Sequence, residues 1–323
     1  MYIVKLFFVI ILLVLGVQDF IYAQSFPTKP VKIIVPFSPG GPPDTIARFI
    51  AQKLYEKWGQ QVYVENIPGA SGNIGYQRVI KATPDGYTLG SLSPGFMINP
   101  SLFTKKPFDP LTEFTLITLI AGSPNVLAVH PSFPVSNMLD LVAHVKKNQG
   151  VFSYAHPSNG TIPHLLGEQL KLKENLDIIT AAYPGAGPAI LSTIGGHTPI
   201  VFVAVPGAAE FVKSGKLKAI AVTSLIRSTA LPNVPTMHES GFRYMDGETL
   251  SGLIGPSGIP VEIVHKINLD VYNILQQNST KEELLRIGFD VIGFGPEKFR
   301  DKVKTEVDKW ATIIDLAKIP KLD

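Results

Sequence analysis

The chain has 323 residues, 45% of them hydrophobic and 17% charged, with a formal net charge of +3 and no cysteine. Such a length suggests about two domains with cores of their own, and a charged fraction below the usual ~25% argues against disorder or a coiled coil. Lys and Arg are scattered among acids without a basic block, which excludes nucleic acid as a partner, and the missing Cys excludes disulfides, thiolate–zinc sites and thiol catalysis.

Met1 to Ala23 has the pattern of an export leader. Lys5 supplies a basic start, Leu6 to Val17 is almost wholly apolar, and Ala23 is a small residue suited to cleavage before Gln24. That apolar run is too short to cross a hydrocarbon core needing roughly 20 residues. The expected mature chain is soluble, periplasmic and about 300 residues long.

After the leader, short β-rich runs alternate with amphipathic helices, the pattern of an α/β protein. Val31 to Val35 reads as a strand and Asp44 to Trp58 as a helix, with Ile46, Ala47, Ile50, Leu54 and Trp58 on one face. Gln61 to Glu65 is a second strand, a short helix runs to Ala82, and Tyr87 to Leu92 is a third strand. Leu116 to Ala121 and Asn125 to His130 read as two strands split by Gly122-Ser123-Pro124. Helices are expected over 137–147, 163–172 and 188–194, with strands at 152–155, 178–182, 200–205 and 218–223. A strand at 251–255 opens a C-terminal section with helices over 261–277, 281–287 and 296–317. No repeat of 20–50 residues is evident, so a solenoid is not expected.

Three Gly- and Pro-rich loops each follow a strand and open a helix: Pro36 to Asp44, Ser158 to His164, and Tyr183 to Pro188. Helix starts leave N–H groups unpaired and carry partial positive charge, so such loops suit a carboxylate or phosphate, although each also serves as an ordinary turn. Asp44 is expected to accept hydrogen bonds from backbone donors at its helix start. His164 and Glu168 stand one helical turn apart without a third ligand nearby, so a helix-start histidine and a solvated Glu168 are expected; His156 and His197 read as lone loop histidines. Nucleotide-loop, zinc-protease and nucleophile-elbow motifs are absent, Gly69-Ala70-Ser71-Gly72 being only a partial likeness to the last.

Together, several motifs in order resemble the Bug-type periplasmic solute receptors, the substrate-binding proteins of tripartite tricarboxylate transporters. They are Pro30 to Phe37 with Gly40-Gly41, Asp44 and Ala47-Arg48; Asn66 to Gly75; Pro84 to Leu89; and Asn159-Gly160-Thr161 with His164-Leu165. Tyr183 with Gly185 and Pro188-Ala189, Gly215 to Lys218, and Leu231 to Thr236 with Glu239 and Gly241 continue the likeness to about residue 320. The resemblance implies a two-lobed α/β fold of the periplasmic-binding-protein (Venus-flytrap) kind, with crossing strands as hinge. The lobes are expected at 24–122 plus 246–323 and at 123–245. It implies a non-enzymatic receptor for a small carboxylate, without cofactor, acting as a monomer and delivering ligand to membrane transporter subunits or serving as a sensor. Carried over, the ligand contacts are Phe37, Ser38, Gly40, Gly41 and Asp44 from one lobe. From the other they are Ser158, Asn159, Gly160, Thr161, His164, Ala182 and Tyr183.

The chain departs from the family pattern at His156-Pro157-Ser158, where small Ser and Gly residues are common, at Ala182, where Pro often stands, and at Pro199 and Val203-Ala204, where acids are usual. The other reading of the residues is an exported α/β hydrolase using Ser71 or Ser158 with a histidine.

Overall fold

A computed structural model describes residues 26–323. The expected leader lies outside the described residues. The first half begins with β1 (Val31–Val35), α1 (Pro42–Trp58), β2 (Val62–Asn66), a 3-10 turn at Ala70–Gly72, α2 (Asn73–Ile80), β3 (Thr88–Ser91) and α3 (Pro94–Leu102). Strand β4 (Phe114–Val129) leads into α4 (Met138–Lys147), β5 (Ser153–His156), α5 (Ile162–Glu174), β6 (Ile179–Ala182) and α6 (Ala186–Ile194). Then follow β7 (Ile200–Ala204), α7 (Val205–Lys213), β8 (Lys218–Val222), β9 (Glu248–Pro256), α8 (Val261–Gln276), α9 (Asn278–Arg286), β10 (Asp290–Phe294) and α10 (Pro296–Leu316).

The two strands expected around Gly122-Ser123-Pro124 are a single strand of 16 residues. Its partners explain why the Gly-Ser-Pro step does not end it. On one side β9 pairs with it continuously from Phe114↔Pro256 to Pro124↔Glu248, so the ladder carries the chain across the step. On the other side β10 pairs only as far as Gly122; beyond the step β7 and β8 flank β4 on its two edges from Asn125 and Val126. Strand β4 thus belongs to two sheets.

Directions follow from these ladders. β1, β2 and β3 run parallel, β9 is antiparallel to β3, and β4 is antiparallel to β9, so β4 leaves the first half alongside the carboxyl ends of β1–β3. In the second half β5, β6 and β7 are parallel to one another and antiparallel to β4. Their carboxyl ends therefore point back toward the first half. The strand-to-helix loops of both halves face each other across the crossing, the place where open α/β sheets bind ligands. This is the two-lobed layout the sequence implied.

The cores are not fully separate. One apolar cluster includes Ile34, Tyr76 and Phe96 from the first half, Leu165, Leu166 and Phe202 from the second, and Trp310 of α10. Two others fill the outer sides, around Ile33, Ile50 and Ile267 and around Val126, Val201 and Ala208. Helix α3 was not expected from the pattern; most of its residues are buried and none is charged, so it shows no polar face to read, and Pro100 lies within it. No described helix is long and apolar enough to cross a membrane.

The start of α2 is packed backbone to backbone against the first loop. A Cβ added at Gly75 would lie 2.7 Å from Cα of Pro36 and 2.9 Å from the Ile67 carbonyl oxygen. Neither backbone atom can rotate away. Gly75→Ala should therefore destabilise the protein by roughly 1–3 kcal/mol, read as a lowered melting temperature.

Candidate ligand-binding site

The first loop is tied down by a carboxylate. Asp44, buried in the first turn of α1, accepts the Gly40 amide at 2.9 Å and Arg48 Nε at 3.0 Å on Oδ2, and Asn66 Nδ2 at 2.8 Å on Oδ1. Asn66 Nδ2 also donates to the Phe37 carbonyl at 2.9 Å, and Arg48 Nη2 donates to Asn66 Oδ1 at 2.8 Å. Burial pushes the Asp44 carboxyl up, but the hydrogen bonds from Arg48, Asn66 and the Gly40 amide outweigh it and hold the group below its ordinary value. Both Asp44 oxygens are thus engaged inside the protein, which makes Asp44 a clamp on the loop. Arg48, its counter-charge, is engaged as well. Phe37 turns its ring toward Gly72, whose added Cβ would stand 3.1 Å from Phe37 Cε2. Ser38 and Gly40 are exposed.

What remains for a ligand is backbone. Helix α1 opens with Pro42 and Pro43, which have no N–H, and among the described residues no acceptor meets the amides of Gly41 and Asp44. The same holds at the start of α5, where the amides of Thr161, Ile162 and His164 have no acceptor.

In the second loop the expected contacts divide. The Gly160 amide donates to His164 Nδ1 at 3.2 Å, and the Thr161 hydroxyl donates to the Ser158 carbonyl at 2.7 Å. Both donors are therefore spent within the loop. Ser158 and Asn159 are exposed at its tip. Ala182 ends β6 beside His156, and the Tyr183 amide donates to the His156 carbonyl at 2.9 Å. The Tyr183 hydroxyl lies 2.6 Å from Ser192 Oγ of α6, so its ring turns onto that helix. Phe37, Gly40, Gly41 and Asp44 are thus gathered in one cluster, and Ser158, Gly160, Thr161, His164 and Tyr183 in another. From the first half, α3 reaches this second cluster: Leu102 Cδ2 would lie 2.4 Å from a Cβ at Gly160. Two open recesses of about 630 and 440 Å³ lie in the first half along α2, the larger reaching Ile67 and Asn73 at the start of that helix, and share Arg78 and Lys81.

Two readings of polar residues need correction. His156 is the last residue of β5 and wholly buried, so it is not a loop histidine. Glu168 is not solvated: its Oε1 accepts the Tyr154 hydroxyl at 3.1 Å, the Thr180 hydroxyl at 2.5 Å and Lys171 Nζ at 3.1 Å. Burial raises the Glu168 carboxyl, yet Thr180, Lys171 and His164 together hold it below its ordinary value. The i, i+4 spacing of His164 and Glu168 was a visible signal of this cluster; Tyr154 and Thr180, from separate strands, gave none. Ser158 Oγ donates weakly to the Asn159 carbonyl at 3.4 Å, and the nearby His156 meets the Ser158 carbonyl instead of its hydroxyl, so no Ser–His couple forms there. Among the described residues no group of three or more His, Asp or Glu could hold a metal ion.

His156 also predicts a pH effect on stability. Burial, followed by the neighbouring His164 charge, lowers it from 6.5 to about 4, against opposing pulls from the Ser158 carbonyl and Glu168. Between these values the unfolded chain binds the proton and the native chain does not. Stability should be complete above about pH 6.5 and fall as pH drops toward 4, by about 3 kcal/mol in all. Denaturant titrations over this range should show the fall, and His156→Leu should flatten it.

The whole chain has recognisable relatives. Residues 46–319 match the model of the tripartite tricarboxylate transporter family receptor. Protein BugT of Bordetella pertussis is 31% identical, the alignment covering 93% of this chain and 92% of that protein. Among solved structures, R. palustris Rpa4515 with adipate has a TM-score of 0.86 at 30% identity, covering 92% of this chain and 100% of the other. MatC from Rhodopseudomonas palustris with bound malate has a TM-score of 0.81 at 28% identity, covering 90% and 100%. The family model spans most of the chain and the solved relatives share its fold, and the chain belongs to the tripartite tricarboxylate transporter receptor family, the Bug-type periplasmic solute-binding proteins.

Proposed function

We propose that this protein is an exported receptor for a small dicarboxylate, which it carries to the membrane subunits of a tripartite transporter without altering it chemically. The supporting observation is the pair of unsatisfied helix starts, Gly41 and Asp44 on α1 and Thr161, Ile162 and His164 on α5, opposed across β4. A carboxylate leaving water must regain its hydrogen bonds, and converging N–H groups supply them without a cationic side chain. Two such ends suit a ligand with a carboxylate at each, as the adipate and malate complexes of related receptors have. Of the expected contacts, Gly41, Asp44, Thr161 and His164 bring backbone donors, Ser38, Ser158 and Asn159 line the rim, and Phe37, Gly40, Gly160, Ala182, Tyr183 and the side chains of Asp44 and His164 shape the loops.

In this reading the lobes are 24–122 with 246–323 and 123–245, the chain works as a monomer, and the leader is removed near Ala23. Ligand bridges the lobes and favours the state in which they are closed.

Calorimetry with adipate, malate and a tricarboxylate tests the reading. At least one dicarboxylate should bind, while its diamide should not; failure of every acid would reject it. Gly41 offers a clean probe, because its φ is −81° and an added Cβ would meet only Pro43 Cδ, at 3.8 Å. Gly41→Leu should leave the melting temperature unchanged and abolish binding. Thr161→Val removes only the bond to the Ser158 carbonyl and should weaken binding by about 1 kcal/mol.

A further inference from the structure

Behind the second loop lie two buried imidazoles that the sequence treated as unrelated. His156 and His164 are 0% and 7% exposed, and their ring centroids are 4.7 Å apart at an interplanar angle of 33°. Each holds the loop by a different backbone group. His156 Nδ1 lies 3.0 Å from the Ser158 carbonyl oxygen, which can only accept, so Nδ1 carries a proton. His164 Nδ1 receives the Gly160 amide at 3.2 Å, so that nitrogen carries none. One loop carbonyl and one loop amide are thus fixed by two rings of opposite need.

We propose that His156 and His164 are positioning residues forming a neutral pair of opposite tautomers, which holds residues 158–161 in ligand-binding shape and releases them on protonation. This rests on the ligand-binding reading above and adds its regulation. Protonation of His164 at Nδ1 places an N–H opposite the Gly160 N–H. The loop bond is then replaced by a repulsive contact, and the Thr161 and Ile162 amides next to it lose their alignment.

The surroundings favour the neutral state at neutral pH. Charges acting on the pair come from α5 itself: Glu168, which favours the proton, and Lys171, which opposes it. Tyr154 of β5 and Thr180 of β6 face the same cluster and donate to Glu168, which reduces that carboxylate's pull on His164. From the elements packed on the other sides come Leu102 of α3, near Gly160, and Trp310 of α10, near Ile162 and Leu166. Burial keeps both imidazoles below their ordinary value, against the opposing pull of Glu168. The device therefore responds to acid and is silent above neutrality.

The first measurement needs no ligand. Imidazole nitrogen shifts in the full protein at neutral pH should show a protonated Nδ1 in His156 and a protonated Nε2 in His164; matching tautomers, or a charged ring, would overturn the proposal. In the second, adipate binding is followed by calorimetry from about pH 8 down to about pH 4, below the ordinary imidazole window because both rings are held under their usual value, with adipate's own ionisation measured separately and removed. Wild-type affinity should be flat at the upper end and then fall, by up to about tenfold per pH unit. His164→Asn sets an amide oxygen where Nδ1 stands and cannot take up the proton. It should bind within about threefold of wild type at neutral pH, less than the loss of a hydrogen bond, and should lose the acid fall. His164→Leu should bind about fivefold or more weakly, the equivalent of one hydrogen bond. An Asn variant that keeps the wild-type pH profile, or a Leu variant that binds like wild type while melting normally, would refute the pair. Failure of adipate to bind any form would count against the ligand reading, and the nitrogen shifts would still decide the tautomers.

Discussion

The arrangement depends on one strand serving two sheets. Because β4 runs with β1–β3 and against β5–β7, the carboxyl ends of both parallel sets are turned toward the same gap. Every helix that follows one of those strands then begins at the gap, with its unpaired amides and the positive end of its dipole. Two positive helix ends facing each other repel weakly, and an anion between them removes that repulsion. The proposed preference for acids needs only this topology, with no Arg or Lys at the contact.

Rigidity comes from carboxylates of the protein itself. Asp44, buried on one side, and Glu168, half-buried on the other, each sit behind a loop and are satisfied by several donors. Leaving a buried carboxylate half-satisfied costs more than a missing contact at the surface, so each network fixes its members firmly. The two networks differ in how they reach the loop. Asp44 grips the Gly40 amide directly, whereas the second loop is held through imidazoles. Neutral rings in place of a permanent charge make that half sensitive to acid in a way the first half is not.

Much of this was legible in the sequence, and the failures have physical causes. The alternation of strands and helices and the family motifs pointed to the fold, and the helix-opening loops fall where the candidate site is proposed. The Gly-Ser-Pro step hid the continuity of β4, because the ladder to β9 that bridges it joins residues more than a hundred positions apart. Helix α3 lacks the polar face that reveals a helix, and β10, half-exposed throughout, has no clear alternation. Phe37, Asp44 and Tyr183 were correctly placed at the loops, but their side chains turn inward, a direction set by partners such as Asn66 and Ser192 that local sequence does not reveal. His156 departs from the family's small residues, and its burial and its neighbour became visible only in three dimensions.

The long C-terminal helix has an optical consequence. The chain has two tryptophans, and they sit in contrasting places. Trp58 donates to Asp270 at 2.7 Å, and both residues belong to the first half. Trp310, wholly buried on α10, shares a core cluster with Ile162 and Leu166 of the second half's α5, the three closing around Gly247, with Lys309 Nζ 4.9 Å above its ring. Any movement of α5 relative to α10 admits water to the Trp310 indole and leaves Trp58 undisturbed. The protein thus carries a native fluorophore at the seam and a second one to serve as its internal reference, so lobe movement can be followed by emission colour without attaching a dye.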